Sequence, residues 1–348
     1  MERYQLGRSK VTVPRIGMGC WAFGGGEYWG EQSQKDVDEV VSAALSAGIN
    51  FFDTAEMYNN GESEVSLGKA LKGRREKAVI CTKISPSNCR NVREHLLASM
   101  ERLQTDYIDI YMMHWPINTL AVKHFTDSSS VLADMPTIQE TCDQLKALKK
   151  EGLIRAVGIS NFGVKQMEEF CGTGLQADVN EMPYNIVSRA IEAGIVPCSE
   201  KLGISIIGSM GLQQGLLAGI YKDISQIPSH QAHSRHFADF RGQGTSRHGE
   251  AGAEREMAEV LKVLERISAD MGIPMAQLSL AWIFSKPFMK SVLVGSRNVA
   301  QLESNIQATN VVLPKEVEAE IDRISLPVLE KLGNNPDYYE NSASSRIF

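Results

Sequence analysis

Three polar residues stand where short apolar runs stop: Asp53, Lys83 and His114. Tyr58 lies five residues beyond Asp53. If those runs are neighbouring parallel strands, the four side chains converge. A buried ammonium near a phenol stabilises phenolate and lowers the tyrosine pKa toward the working pH. A carboxylate beside the lysine holds its charge and position, and a histidine nearby hydrogen-bonds a carbonyl oxygen. Such a set protonates the oxygen of an aldehyde or ketone while hydride arrives at carbon. Singly, each residue has an ordinary alternative: a strand-end Asp caps a helix, a loop Tyr packs, and a Lys or His after a strand is solvated. The joint pattern carries the weight.

The elements that must position them read as eight short apolar runs, at 16–19, 50–53, 78–83, 108–114, 156–160, 177–180, 205–208 and 291–295, with helix-period segments between. Continuous apolar runs suit parallel strands buried on both faces. Helices at 34–47 and 137–151 stop at Gly48 and Gly152, the usual C-terminal cap. A count of eight predicts a closed (β/α)8 TIM barrel, α/β in class, as a single domain over 1–348. Residues 3–6 and 11–13 predict an N-terminal β-hairpin that closes the barrel floor. Two connections, 115–135 and 221–253, exceed plain βα loops and follow strand C-termini, where barrel enzymes keep their sites. Residues 326–348, with Pro327 and Pro336, read as a polar tail that either folds over the same mouth or stays mobile.

Composition narrows the function classes. Of 348 residues 43% are hydrophobic and 22% charged, which permits a large core and excludes global disorder. A net charge of −6 argues against nucleic acid or an anionic membrane as the main partner. No apolar run reaches the length of a membrane span or signal peptide. The six cysteines show no zinc-module spacing and read as reduced thiols of a cytoplasmic protein. No metal is expected. His230, His233 and His236 are evenly spaced, but in a polar segment that reads as a solvated loop. The stretch Gly17-x-Gly19-x-x-Ala22 matches a dinucleotide fingerprint, yet Gly24, Gly25 and Gly26 follow it where a helix should open.

Over residues 3–325 the chain resembles the aldo-keto reductase superfamily. The resemblance is carried by GINFFDTA at 48–55 with Tyr58, GESE at 61–64, Thr82-Lys83, His114-Trp115-Pro116, GISNF at 158–162, GLL at 215–217 and VGSR at 294–297. It implies a small-molecule carbonyl or alcohol substrate and an extended nicotinamide cofactor at the barrel mouth. Tyr58 would be the general acid in reduction and the base in oxidation, Lys83 would lower its pKa, Asp53 would pair with Lys83, and His114 would orient the carbonyl. Ser160, Asn161 and Glu181 would meet the nicotinamide carboxamide, and Ser209 and Met210 its ring. Gly215 and Leu217 would line the cofactor, and Arg235 or Arg241, if the histidine-bearing loop orders, could touch its pyrophosphate. Gly295, Ser296, Arg297, Gln301 and Asn305 would hold the adenosine end, with Arg297 on a ribose 2′-phosphate. NADP (NADPH) is therefore expected in preference to NAD. Trp21 and Trp115 would wall the substrate pocket, with Phe125. Some relatives instead serve as cofactor-sensing regulatory subunits of ion channels, an alternative the catalytic set does not exclude; the lack of an added segment before residue 3 argues against it.

Three positions depart from the family pattern. Glu181 stands where Gln is usual, and an ionised carboxylate there would favour the oxidised nicotinamide. Ser209 takes the place of an aromatic that stacks on the ring. Asn59 replaces the glycine after the tyrosine, which Asn's tolerance of left-handed dihedrals accommodates.

Overall fold

The computed structural model describes residues 1–348. Ten strands form: β1 (Arg3–Gln5), β2 (Thr12–Pro14), β3 (Ile16–Gly19), β4 (Phe51–Asp53), β5 (Val79–Ile84), β6 (Ile108–Met113), β7 (Ile154–Ser160), β8 (Val179–Pro183), β9 (Ser205–Ser209) and β10 (Met289–Val294). The strands β3 to β10 close a parallel barrel in the order β10-β3-β4-β5-β6-β7-β8-β9. The antiparallel pair β1-β2 is the expected hairpin. Its Leu6, Val11 and Val13 join Phe51, Cys81, Ile110, Met112, Ala156, Val179, Ile207 and Leu293 in one cluster, the filled barrel interior. A much larger apolar layer lies between the barrel and its helices.

Interior packing sets the sequence. A Cβ at Gly158 would sit 2.4 Å from Met112 Cγ, so the bulk of Met112 requires glycine beside it. Helices follow the expected signals. Gln34–Ser46 begins with Ser33 Oγ accepting from the Asp36 amide. Ile138–Glu151 opens with a capping box between Thr137 and Glu140 and ends at left-handed Gly152.

Three regions depart from expectation. The connection 115–135 contains two short helices, Thr119–Phe125 and Ser129–Ala133. The helix Lys315–Leu332 runs through Pro327, so the tail begins after Leu332 rather than at 326. Local proline cost is outweighed by a buried stripe of Ile321, Ser325, Val328 and Leu332. Beyond it the chain folds back and docks. Arg346 and Asp337 form a buried bidentate pair at 2.7 and 2.8 Å.

The segment around the histidines is only partly solvated: His230 is exposed and His233 half-buried, but the chain beyond them turns inward. Ser234, Arg235, His236 and Phe237 are buried. Arg235 donates to the carbonyls of Leu332, Asn335 and Asp337 and to Glu250, which ties this loop to the tail. His236 shares hydrogen bonds with Ser188 and the Val187 carbonyl. Its polarity serves internal bonds, and the tail covers what would otherwise face water. Arg235 is thus spent on carbonyls and unavailable to a pyrophosphate, and Arg241 donates to the carbonyls of Ile224 and Ile227. No single helix is long and apolar enough to cross a membrane.

Candidate active site

Side chains alternate between the inside and outside of a barrel strand, so parity with the interior cluster identifies the inward residues. Phe51 leads to Asp53, Cys81 to Lys83, Met112 to His114, Ala156 to Ser160, Val179 to Glu181, and Ile207 to Ser209. Each polar residue stands at the C-terminal rim of its strand's inward row, with only Pro183 beyond Glu181 on β8. The interior is apolar below and polar on top.

Lys83 is the centre of that layer. It is fully buried, and Nζ donates to Asp53 at 2.6 and 2.7 Å, to the Thr54 carbonyl at 3.1 Å and to Tyr58 Oη at 3.2 Å. Burial disfavours its charge, but Asp53, Glu181 and Tyr58 hold its pKa above the ordinary value. Glu181 Oε2 lies 3.4 Å from Nζ on the far side.

Tyr58 is positioned by an unusual turn. Asn59 and Asn60 both take left-handed dihedrals, with φ of 50° and 54°. The Asn59 side chain secures the turn by donating to the carbonyls of Trp21 and Phe23, each at 2.8 Å. Below it, Ser63 donates to the Cys20 carbonyl, and Glu64 binds Thr82 and Arg102. The GESE stretch thus fixes the loop from underneath. Burial pushes the phenol's pKa up; Lys83 pulls it down, while Asp53 and Glu181 push it further up. The net rise corrects the expectation of an acidified tyrosine. The two carboxyls offset the ammonium, so the phenol is held neutral with its proton in place.

His114 completes the set, its ring centroid 5.5 Å from that of Tyr58. Burial and the Lys83 charge hold its pKa well below the ordinary histidine value, so the ring is neutral. Its Nδ1 has no partner within the protein. Above Tyr58, Trp21 stacks on the phenol at 5.7 Å and on Tyr28 at 5.1 Å, with Trp29 edge-on. Trp115 is faced instead by Arg346 of the tail, whose guanidinium lies 3.8 Å over its ring. Phe125 approaches His114 at 5.9 Å. A separate cavity of about 260 Å³ between Pro116, Pro136, Phe162 and Phe348 holds none of the four central residues.

The remaining rim residues fit a nicotinamide cofactor to differing degrees. Asn161 donates its amide to the His114 carbonyl and to Ser160 Oγ, which leaves Oδ1 as an acceptor for a carboxamide NH₂. Ser160 donates to the Glu181 carbonyl. Glu181 turns inward to Lys83, and burial, with Asp53 next, pushes its pKa up to about 8. The shift disfavours the ionised form on which a preference for oxidised nicotinamide would depend.

Ser209 ends β9, and Met210 follows with φ 59° and its carbonyl accepting from Asn185. Gly215 and Leu217 lie in the turn Gln213–Ala218, where their amides donate to the Leu212 carbonyl. They shape the turn, with those N–H groups spent.

At the end of β10, exposed Gly295 leads to Ser296, Arg297, Gln301 and Asn305, which meet at the start of helix Val299–Gln307. Asn305 donates to Ser296 Oγ at 3.1 Å, and Gln301 Oε1 accepts from the Arg297 amide at 2.8 Å. The Arg297 guanidinium reaches back to Gln32 and the carbonyls of Trp29 and Glu31. The sequence did not reveal this tether, because 265 residues separate its ends.

Comparison with known proteins agrees with this geometry. The family described as Aldo/keto reductase family matches residues 15–326. An NADH-specific methylglyoxal reductase of Escherichia coli is 32% identical, covering 95% of this chain and all of the relative. A protein of Arabidopsis thaliana named "Probable voltage-gated potassium channel subunit beta" is 26% identical over 97% of this chain and all of its own length. Among solved structures, a thermostable aldo-keto reductase in complex with the inhibitor epalrestat superimposes with a TM-score of 0.71 at 25% identity, covering 93% of this chain and 100% of that one. On its barrel, its polar rim and this match over nearly the whole chain, the protein belongs to the aldo/keto reductase family and is an NAD(P)H-dependent oxidoreductase.

Proposed function

We propose that the protein is an NADP-dependent carbonyl reductase or alcohol dehydrogenase in which Tyr58 moves the proton. The observation that carries this reading is the 3.2 Å contact from Lys83 Nζ to Tyr58 Oη beside a neutral His114. A bound NADPH supplies hydride to the carbonyl carbon. His114 donates an N–H to the carbonyl oxygen and orients it. Tyr58, held neutral by its surroundings, gives its proton to that oxygen as negative charge develops. Lys83 donates to the phenolate left behind, and Asp53 keeps the ammonium aimed. Asn161 Oδ1 would accept from the carboxamide NH₂ of that cofactor. Ser296, Arg297, Gln301 and Asn305 support the NADP preference, as Arg retains two N–H donors beyond its three internal bonds. Trp21 supplies an apolar wall above Tyr58. Six free thiols, five of them buried, accord with a reducing, cytoplasmic setting.

The channel-subunit relative supports a second reading, a cofactor-binding regulatory protein. A panel of sugar-derived and hydrophobic aldehydes and alcohols, assayed in both directions with both cofactors, separates the two. The enzyme reading predicts turnover with kcat/KM roughly tenfold or more in favour of NADPH, given one or two charge-assisted hydrogen bonds to the 2′-phosphate. Tight NADPH binding without turnover of any carbonyl would favour the regulatory reading.

A further inference from the structure

Glu181 lies on the inward row of β8, with β6 and β7 between it and the strand that carries Lys83. The residue is 5% exposed. Its Oε2 has no hydrogen-bond partner and faces Lys83 Nζ at 3.4 Å. The three N–H donors of an ammonium are already directed to Asp53, the Thr54 carbonyl and Tyr58 Oη, so none is left for Glu181. Asp53 and Glu181 thus both stand against one ammonium, and only Asp53 is hydrogen-bonded to it. Two buried carboxylates beside one ammonium would leave a net negative charge out of water, which one proton removes. The titratable groups facing Glu181 are Asp53 from β4, Cys81 and Lys83 from β5, and Tyr58 from the turn after β4. The neighbouring strands β7 and β9 pair with it through Ser160 and Ile207, which bring no charge.

We propose that Glu181 is a proton reservoir for Tyr58, recharging the phenol through Lys83 after each reduction. The proposal rests on the reading of Tyr58 as proton donor. As the substrate O–H bond forms, the Tyr58 O–H bond breaks and leaves phenolate. Lys83 passes an Nζ–H to that oxygen and becomes a neutral amine. Glu181 then passes its carboxyl proton to Nζ, which restores the ammonium and leaves Glu181 as carboxylate. The net change moves one proton from Glu181 to the substrate oxygen and no electrons, and water later reprotonates the carboxylate. The transfer runs downhill, since Glu181 titrates near 8 and Tyr58 is raised above its ordinary value.

The test compares wild type with Glu181→Gln, which keeps the shape of the side chain but holds no acidic proton. Infrared difference spectra of the protein alone, titrated from about pH 6 to pH 9.5, are expected to show a carboxylic-acid carbonyl band that disappears around pH 8 in wild type and is absent from Glu181→Gln. With 4-nitrobenzaldehyde and NADPH, steady-state kcat of the variant is expected to fall roughly tenfold, a modest share of the usual general-acid contribution. It should also lose the wild-type decline above about pH 8, while the first-turnover rate falls less than kcat because Tyr58 starts protonated. Glu181→Asp should recover part of the pH dependence. No acid band in wild type, or superimposable pH profiles, would overturn the proposal. Full activity of Tyr58→Phe would instead remove the reading beneath it, and the infrared band would still decide whether Glu181 carries the proton.

Discussion

At the scale of single residues, the site is a charge balance around Lys83. Asp53 supplies the compensating charge, Glu181 a second carboxyl, and Tyr58 the neutral hydroxyl that shares the ammonium. Arg297 gives the clearest test away from the proton chemistry. Arg297→Ala should raise the KM for NADPH by roughly ten- to a hundredfold, the loss of a charged hydrogen-bonding group, and leave NADH nearly unchanged. Because Arg297 also tethers the loop that carries Trp29, Gln32→Ala serves as a control in steady-state assays; it should loosen the loop without the cofactor selectivity change. Equal effects on both cofactors would assign Arg297 to the loop alone. The sequence shows Asp53, Lys83 and His114 ending their strands, and strand parity is enough to bring them together. The contact of Glu181 with Lys83 is not legible that way, because it crosses the lumen between strands that are not neighbours. The direction of the Tyr58 shift also needs depth of burial and a count of nearby carboxyls, neither of which spacing supplies.

At the scale of elements, the tail acts as a strap. Arg235 and the Arg346–Asp337 pair fasten residues after Leu332 against the loop 221–253, and Arg346 lies on Trp115 at the mouth. Removing one member of a buried ion pair strands the other charge, so Asp337→Ala should cost about 3–5 kcal/mol in chemical denaturation. It should also make the tail an early site of limited proteolysis; a tail as protected as wild type would show that the pair does not hold it. Burial opposes ionisation of Asp337, but the hydrogen bonds and charge of Arg346 win and hold its carboxyl below the usual range. This contribution is fully present above the ordinary carboxylate pKa and is lost as pH falls through the lowered native value. Proteolytic release of the tail at acid pH checks it. Pro327 and the polar composition of 326–348 suggest a helix stop there. Docking of the tail depends on partners some hundred residues away, such as Arg235 on Asn335. The polar histidine segment misleads for the same reason: its donors are satisfied by chain distant in sequence.

At the scale of the whole molecule, eight apolar runs separated by helix signals determine the barrel, and all eight strands form within a few residues of the expected places. Global stability should depend on acid through His236. Its complete burial, the largest effect, depresses its pKa to about 4, so the unfolded chain binds a proton that the native chain refuses. Stability is expected to fall as pH drops from the ordinary histidine value of about 6.5 toward 4, by roughly 3 kcal/mol from this group. His236→Gln should flatten that part of a denaturation-against-pH series, and an unchanged slope would locate the loss elsewhere. The fold brings to one rim a phenol, an ammonium, a carboxylate and a neutral imidazole, and the central claim is that the phenol delivers the proton. Its most direct measurement is the rate of NADPH oxidation with an active aldehyde by wild type and Tyr58→Phe, alongside NADPH affinity from fluorescence titration. Removal of a general acid predicts a fall in kcat of about 10²- to 10⁴-fold, with cofactor affinity kept within about twofold. A Tyr58→Phe enzyme that reduces the aldehyde at the wild-type rate would contradict the account.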